Sequence, residues 1–284
     1  MSYDLFFRPR SGEMSLEVFE KCFSKRSSYK IKGIQSWYEN SDTGVYFSFT
    51  MQANDKNHPI AFNLNYFRPS YFGLEAEPEV HSFVEELNLT VDDLQTNGMG
   101  VGEYDSARFL SGWNAGNSFA CAAILQKPEN RSEIISYPSK TLIESWAWNR
   151  NVNKLQQRLG HARFVPKIMF LLLDGQPITA AVWPDGIPIA APRVDYLIVP
   201  RKDLVPARAS DKGEDRTILA WNDAEPFIRK YQSAGYDQFI VMNYDIPPEE
   251  VKTFVRSLPK NDKALKGVAP DKVLDRELVE KAVR

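Results

Sequence analysis

Early in the chain, apolar side chains recur at every second position: Tyr3, Leu5 and Phe7, then Val45, Phe47 and Phe49, then Phe62, Leu64 and Tyr66. A period of two places one set of side chains on one face of a pleated strand. Strands are therefore expected at Tyr3–Phe7, Tyr29–Tyr38, Val45–Met51 and Ile60–Phe67. The turn-forming run Glu39–Gly44 joins the second and third, and an antiparallel hairpin is its simplest outcome. Between the first two strands, Leu16, Val18, Phe19, Cys22 and Phe23 follow helical spacing, with Ser15 placed as an N-cap. Pro78 is expected to open a helix carrying Val80, Phe83, Val84 and Leu87, and another helix is expected over Ser106–Leu125.

The stretch Gln126–Ser139 is polar, contains Pro128 and Pro138, and reads as a linker. It sets a domain boundary, with one domain at 1–130 and a second at 131–284. A long helix after Ser139 carries Leu142, Ile143, Trp146, Val152, Leu155 and Leu159 until Gly160 ends it. Phe164–Leu173 and Ile178–Trp183 read as strands, with Asp174-Gly175 as a hairpin turn between them. Further strands are expected at Val194–Val199, Thr217–Trp221 and Phe239–Met242, and helices at Ala224–Ser233, Pro248–Leu258 and Asp275–Val283. Pro206–Arg216 reads as a mobile loop. This order predicts an α+β fold of two domains, each a largely antiparallel sheet with helices packed on it.

Charge adds an asymmetry. Residues 1–130 carry 11 Lys and Arg against 17 Asp and Glu, a net of −6, whereas 131–284 carry 24 against 20, a net of +4. An acidic first domain steers a basic partner by long-range attraction, although drift in surface composition produces the same split as readily.

Candidate chemistry is sparse. His58, His81 and His161 lie far apart, and neither paired cysteines nor a His-Glu-x-x-His helix is present, so no zinc site is expected. Cys22 and Cys121 sit in apolar helical patterns and read as buried thiols in a reducing compartment. No Gly-x-Ser-x-Gly elbow occurs. The run Gly98-Met99-Gly100-Val101-Gly102 lacks the preceding strand, lysine and hydroxyl of a phosphate loop and reads as a flexible loop. Asp237 with Glu250-Val251-Lys252 imitates a nuclease pattern, but Pro247-Pro248-Glu249-Glu250 reads as a helix start. Neither a catalytic residue nor a cofactor is assigned. A pI near 6.0 and the lack of a basic stripe with interleaved aromatics speak against nucleic acid as direct ligand. The longest strongly apolar stretch, Ile168–Leu173, is too short to span a bilayer, and no secretory signal is visible, so no membrane is expected and a cytoplasmic location is.

The positions that look like a partner-binding surface lie where a strand hands over to a helix. Phe67, Phe72 and Leu74 read as a core-forming corner, whereas Tyr71, Glu75, Glu77 and Glu79 read as exposed aromatic and acidic contacts. Asp92 and Asp93 are assigned to the same face, and Trp148 is a candidate exposed aromatic in the second domain.

The runs Tyr38–Phe49, Asn65–Glu77, Ile178–Gly186 and Val194-Asp195-Tyr196 resemble stretches of bacterial immunity proteins that protect a cell from its own secreted toxins, in particular those paired with nuclease effectors of type VI secretion. The first two resemble an N-terminal domain of such proteins and the last two the immunity domain proper. The resemblance carries no catalytic residues and no motif that marks toxin-binding positions. It implies a cytoplasmic, non-enzymatic inhibitor whose partner is a cognate toxin. A scaffold or adaptor of a bacterial secretion or defence system, and a hydrolase using scattered carboxylates, remain open, as does the oligomeric state.

Overall fold

The computed structural model describes residues 1–52, 55, 57–95, 97–131, 134–205, 215–261 and 263–283. The expected loop Pro206–Arg216 lies, up to residue 214, outside the described residues. Contacts divide the chain into two compact units, Met1–Ile143 with Pro270–Arg284, and Glu144–Ala269.

The first unit contains β1 (Ser2–Pro9), α1 (Leu16–Ser24), β2 (Tyr29–Lys32), β3 (Gln35–Asn40), β4 (Val45–Met51), β5 (Ile60–Asn65), α2 (Tyr71–Glu86), β6 (Leu89–Asp93), β7 (Gly100–Gly102), α3 (Ser106–Leu125) and β8 (Ile135–Tyr137). The chain enters the second unit within α4 (Ser139–Leu159). That unit holds β9 (Met169–Leu173), β10 (Gln176–Val182), β11 (Ala190–Ala191), β12 (Tyr196–Pro200), β13 (Arg216–Ala220), α5 (Trp221–Ile228), β14 (Ile240–Val241), α6 (Glu249–Ser257) and β15 (Leu265–Val268). The chain then returns to the first unit with β16 (Val273–Asp275) and α7 (Arg276–Val283). The fold is α+β.

Seven antiparallel strands form the first sheet in the order β2-β3-β4-β5-β1-β6-β7. The alternation read from the sequence decides its buried face: Tyr3, Leu5, Phe7, Phe47, Phe49, Phe62 and Leu64 are all buried. Phe49 and Phe62 meet Phe83 of α2 and Phe23 of α1 in one aromatic cluster, with Phe49–Phe83 centroids 4.6 Å apart and Phe23–Phe83 stacked at 5.3 Å. Large rings dominate core energetics because each buries 150–250 Å² on average.

Several expectations are corrected. Tyr29–Tyr38 is not one strand but β2 and β3, which pair across the turn at Gly33. The glycine run 98–102 is not a free loop, since Gly100–Gly102 pairs with β6 as an edge strand. Asp93 shapes the approach to it by accepting the backbone N–H groups of Gln95 (3.0 Å) and Met99 (2.9 Å).

The helix expected to open at Pro78 begins at Tyr71 and keeps Pro78 inside. Asp275 decides this start, its carboxylate accepting both the backbone N–H (2.8 Å) and the hydroxyl (2.7 Å) of Ser70. An interior proline costs a helix about 3 kcal/mol, and the burial of Tyr71, Phe72 and Ala76 offsets it. Just before, Phe67 adopts φ +60°, a conformation rare for a residue with a Cβ. Asn117 of α3 holds that corner, accepting from the backbone N–H of Phe67 (2.7 Å) and donating to the carbonyl of Arg68 (2.8 Å).

The same C-terminal return displaces the boundary placed at 130/131. β8, inside the expected linker, pairs in parallel with β16, and Glu277 of α7 accepts from the backbone N–H and hydroxyl of Ser139. Residues 131–143 and 270–284 therefore belong with the first unit. A sequence pattern cannot show this, because the pairing is non-local.

The second unit carries a five-stranded sheet, β13-β12-β10-β9-β15, in which β10 and β12 are parallel and the other pairs antiparallel. Asp174 and Gly175 both have positive φ, as a two-residue hairpin turn requires, and join β9 to β10. Trp183, Leu197, Val199 and Trp221 form the main core with Val251 and Val255 of α6.

Gly73 of α2 tests how closely the helices of the first unit are packed. A Cβ built there would stand 2.8 Å from the fully buried ring of Trp113 on α3. Gly73→Ala gains about 1 kcal/mol of helix propensity, but overpacking against a rigid indole costs roughly 1–3 kcal/mol. The expected outcome is a net loss of stability, seen as a lower urea midpoint at unchanged slope; a higher midpoint would show that α2 and α3 can separate freely.

Candidate functional site

Most of the acidic surface expected from the sequence is turned inward. With α2 starting at Tyr71, spacings of four place Tyr71, Glu75, Phe72 and Ala76 on the sheet-facing side together with Val80 and Phe83. Tyr71 is 1% and Glu75 0% exposed, and the Glu75 carboxylate accepts from Tyr38 (2.7 Å), Asn40 (2.6 Å) and Thr43 (3.0 Å). Asp93, 2% exposed, accepts the hydroxyl of Tyr3 at 2.6 Å. A buried carboxylate is tolerable only with such partners. Glu79 is half-buried and bonded to Tyr29, with Arg26 at 3.5 Å, and Glu77 accepts from Tyr104. Asp92 lies 2.6 Å from His58 Nε2. The expectation that Tyr71, Glu75 and Asp93 are exposed is therefore corrected, and Glu77, Glu79 and Asp92 are engaged within the unit.

These contacts hold phenol protons tightly. Burial first, and the neighbouring carboxylate second, raise the hydroxyls of Tyr3 beside Asp93, Tyr29 beside Glu79, Tyr38 beside Glu75 and Tyr104 beside Glu77 far above the ordinary range. Burial pushes Tyr66 up to about 12 and the thiols of Cys22 and Cys121 up to about 11 and about 12. Both cysteines are free and buried.

Ser106, His81 and Glu85 follow one another in space, with Ser106 Oγ 3.5 Å from His81 Nδ1 and His81 Nε2 3.1 Å from Glu85. The first distance is too long for a formed nucleophile–base hydrogen bond, and Glu85 is largely exposed. Among the described residues, no group of three or more His, Cys, Asp or Glu side chains is gathered as a metal centre would need, and no helix is long and apolar enough to cross a membrane.

The second unit contains a cleft of about 890 Å³. One wall is a stripe of α4 at helical spacing, Glu144, Ala147, Trp148, Asn151, Lys154, Leu155 and Arg158. Opposite stand Pro192, Arg193 and the segment Asp237-Gln238-Phe239 that leads into β14, with Ile168 between. The back of α4 is clamped to the neighbouring backbone. Asn149, buried, donates to the carbonyl of Ile168 (2.9 Å) and accepts its N–H (2.8 Å), while Gln156 accepts from Val165 and donates to the carbonyls of Gly160 and Arg163. Trp148 is half-buried; its indole N–H donates to the carbonyl of Pro166 at 2.7 Å and its ring meets Phe239 edge-on at 5.2 Å. The Arg158 guanidinium lies 5.6 Å from the ring of Tyr236.

Of the partner-binding residues expected from the sequence, Trp148 alone lines this cleft; Asp237 of the nuclease-like pattern lines it too, without Glu250 or Lys252. Lys154, Arg158, Arg193 and Phe239 were not anticipated. The α4 stripe was open to reading as an exposed i, i+3, i+7 face; the opposite wall comes from segments 34 to 95 residues away and leaves no local signal. Compared with protein-family models, curated proteins and solved structures, the chain matches none.

The raised phenol and thiol groups set an alkaline limit on stability. The folded chain keeps these protons after an unfolded chain starts to lose them, near 9.0 for cysteine and 10.0 for tyrosine. The stabilisation is full below those values and is lost as pH rises through them toward the folded values. Urea midpoints are expected to be flat from about pH 7 to 8.5 and to fall steadily above pH ~9.5, with tyrosinate absorbance appearing together with unfolding. Free titration of most tyrosines in a folded chain near pH 10 would contradict the buried pairs.

Proposed function

We propose that this chain is a non-catalytic binding protein that acts in the cytoplasm and neutralises a cognate secreted antibacterial toxin, a nuclease effector of type VI secretion, in the cell that produces both. The resemblance of its strand and corner stretches to immunity proteins motivates the reading. The observation that carries it is the cleft on the second unit, where Trp148 and Arg158 of a clamped helix are joined by Arg193 and Phe239 from other segments. Aromatic and arginine side chains in a concave, preorganised surface are the residue types that dominate protein–protein affinity.

The distribution of charge supports placing the docking face there. The first unit holds 17 Lys and Arg against 22 Asp and Glu, a net of −5, yet Glu75, Asp93, Glu79 and Asp92 are consumed by internal partners. The second holds 18 against 15, a net of +3.

Co-purification of the full chain from its native cell is expected to retain a secreted effector, and co-expression is expected to protect cells from that effector. Phe239→Ala should weaken the complex by about 2 kcal/mol or more while the melting temperature shows the fold intact. Retention of no effector-type protein, or protection unaffected by that substitution, would count against this function and this face respectively.

A further inference from the structure

The cations of the cleft lack the ion pairs that several others in the second unit make. In the same unit Arg163 is matched by Asp245, Arg201 by Asp215, Arg229 by Glu225 and Arg256 by Glu249. Lys154 and Arg158 on one wall and Arg193 on the other are exposed, and among the described residues none of the three forms an ion pair. They line the cleft together with Trp148, Leu155 and Phe239. Of the two acidic side chains that line the cleft, Glu144 is already engaged, which leaves Asp237 against three cations.

A second observation concerns the far end. A cavity of about 80 Å³ shares Arg193, Asp237, Gln238 and Phe239 with the cleft and is bordered by Trp221, Glu225 and Arg229. Glu225 and Arg229 satisfy one another at 2.5 Å. Trp221 is 6% exposed, and its indole N–H has no hydrogen-bond partner. A buried donor without an acceptor carries an unrecovered desolvation cost. Trp113 has an equally unpaired indole but lines neither the cleft nor the cavity. The cavity has room for a carboxylate, given about 30 Å³ for one water.

We propose that the cleft receives an acidic segment of a protein partner, with an apolar side chain laid on Trp148, Leu155 and Phe239 and a carboxylate seated at Arg193. On the function proposed above, from which this specificity follows, the segment belongs to the toxin. Charge complementarity selects the occupant: three unmatched cations favour Asp and Glu, while Trp148, Leu155 and Phe239 demand a large side chain between them.

Fluorescein-labelled synthetic peptides alternating Glu with Leu and Phe, and counterparts with Lys in place of Glu, provide the test by fluorescence anisotropy on the full chain. The acidic peptide is expected to bind at least about ten-fold tighter than the lysine peptide, with affinity falling as salt rises. Arg158→Glu and Arg193→Glu, both at exposed positions, should each weaken it by about ten-fold or more. Equal binding of the two peptides, or undiminished binding by Arg193→Glu, would overturn the proposal. So would displacement of the peptide by a mononucleotide at comparable concentration, which would mark a nucleotide site. Failure here is distinguishable from failure of the toxin reading. If the double variant Arg158→Glu/Arg193→Glu retains a native toxin undiminished, the acidic occupant is wrong and the function stands; if the peptide binds as expected but no toxin is retained, the function is wrong and the cleft chemistry stands.

Discussion

The carboxylate of Asp275 grips the first turn of α2, and much of the first unit follows from that grip. Asp275 is 3% exposed and accepts both the N–H and the hydroxyl of Ser70, two hundred residues earlier in the chain. A charged acceptor at a helix N-terminus satisfies an orphan N–H and complements the macrodipole. α2 then starts at Tyr71, and helical spacing puts Tyr71 and Glu75 on its buried side. Tyr71 then donates to the carbonyl of Pro270, so helix and returning chain hold one another. Charges that look like a surface in the sequence become internal hydrogen-bond acceptors.

That inward turn decides what the acidic unit can do. A net charge of −5 still produces a field at long range, but Glu75, bonded to three donors and 0% exposed, is out of a partner's reach. Steering and docking are therefore separate properties here: the first belongs to the summed charge, the second to whichever side chains remain exposed and unmatched.

In the second unit the opposite arrangement holds. Asn149 and Gln156 spend their amides on backbone groups at Ile168, Val165, Gly160 and Arg163, which fixes α4 in place with Lys154 and Arg158 exposed. A surface held in advance loses little entropy when it binds. Trp148 shows the division within one residue, its N–H bonded to Pro166 while its ring edge lines the cleft.

The sequence by itself determined the α+β class, the alternating faces of β1, β4 and β5, the limits of α3 and the Asp174-Gly175 hairpin, because each depends on side chains only a few residues apart. It also marked Trp148 as a residue to watch. It missed the split of β2 from β3, where a single glycine turn interrupts an otherwise extended run, and the pairing of β7, where glycines supply backbone but no pattern. Only the tertiary structure decided that Glu75 and Asp93 are buried, that the last residues complete the first unit, and that Arg193 and Phe239 face α4 across a cleft. The physical reason is common to all three. Local periodicity specifies which side of an element is apolar, but the partner of that side, and the donors that make a buried carboxylate tolerable, arrive from distant segments whose pairing leaves no period in the chain.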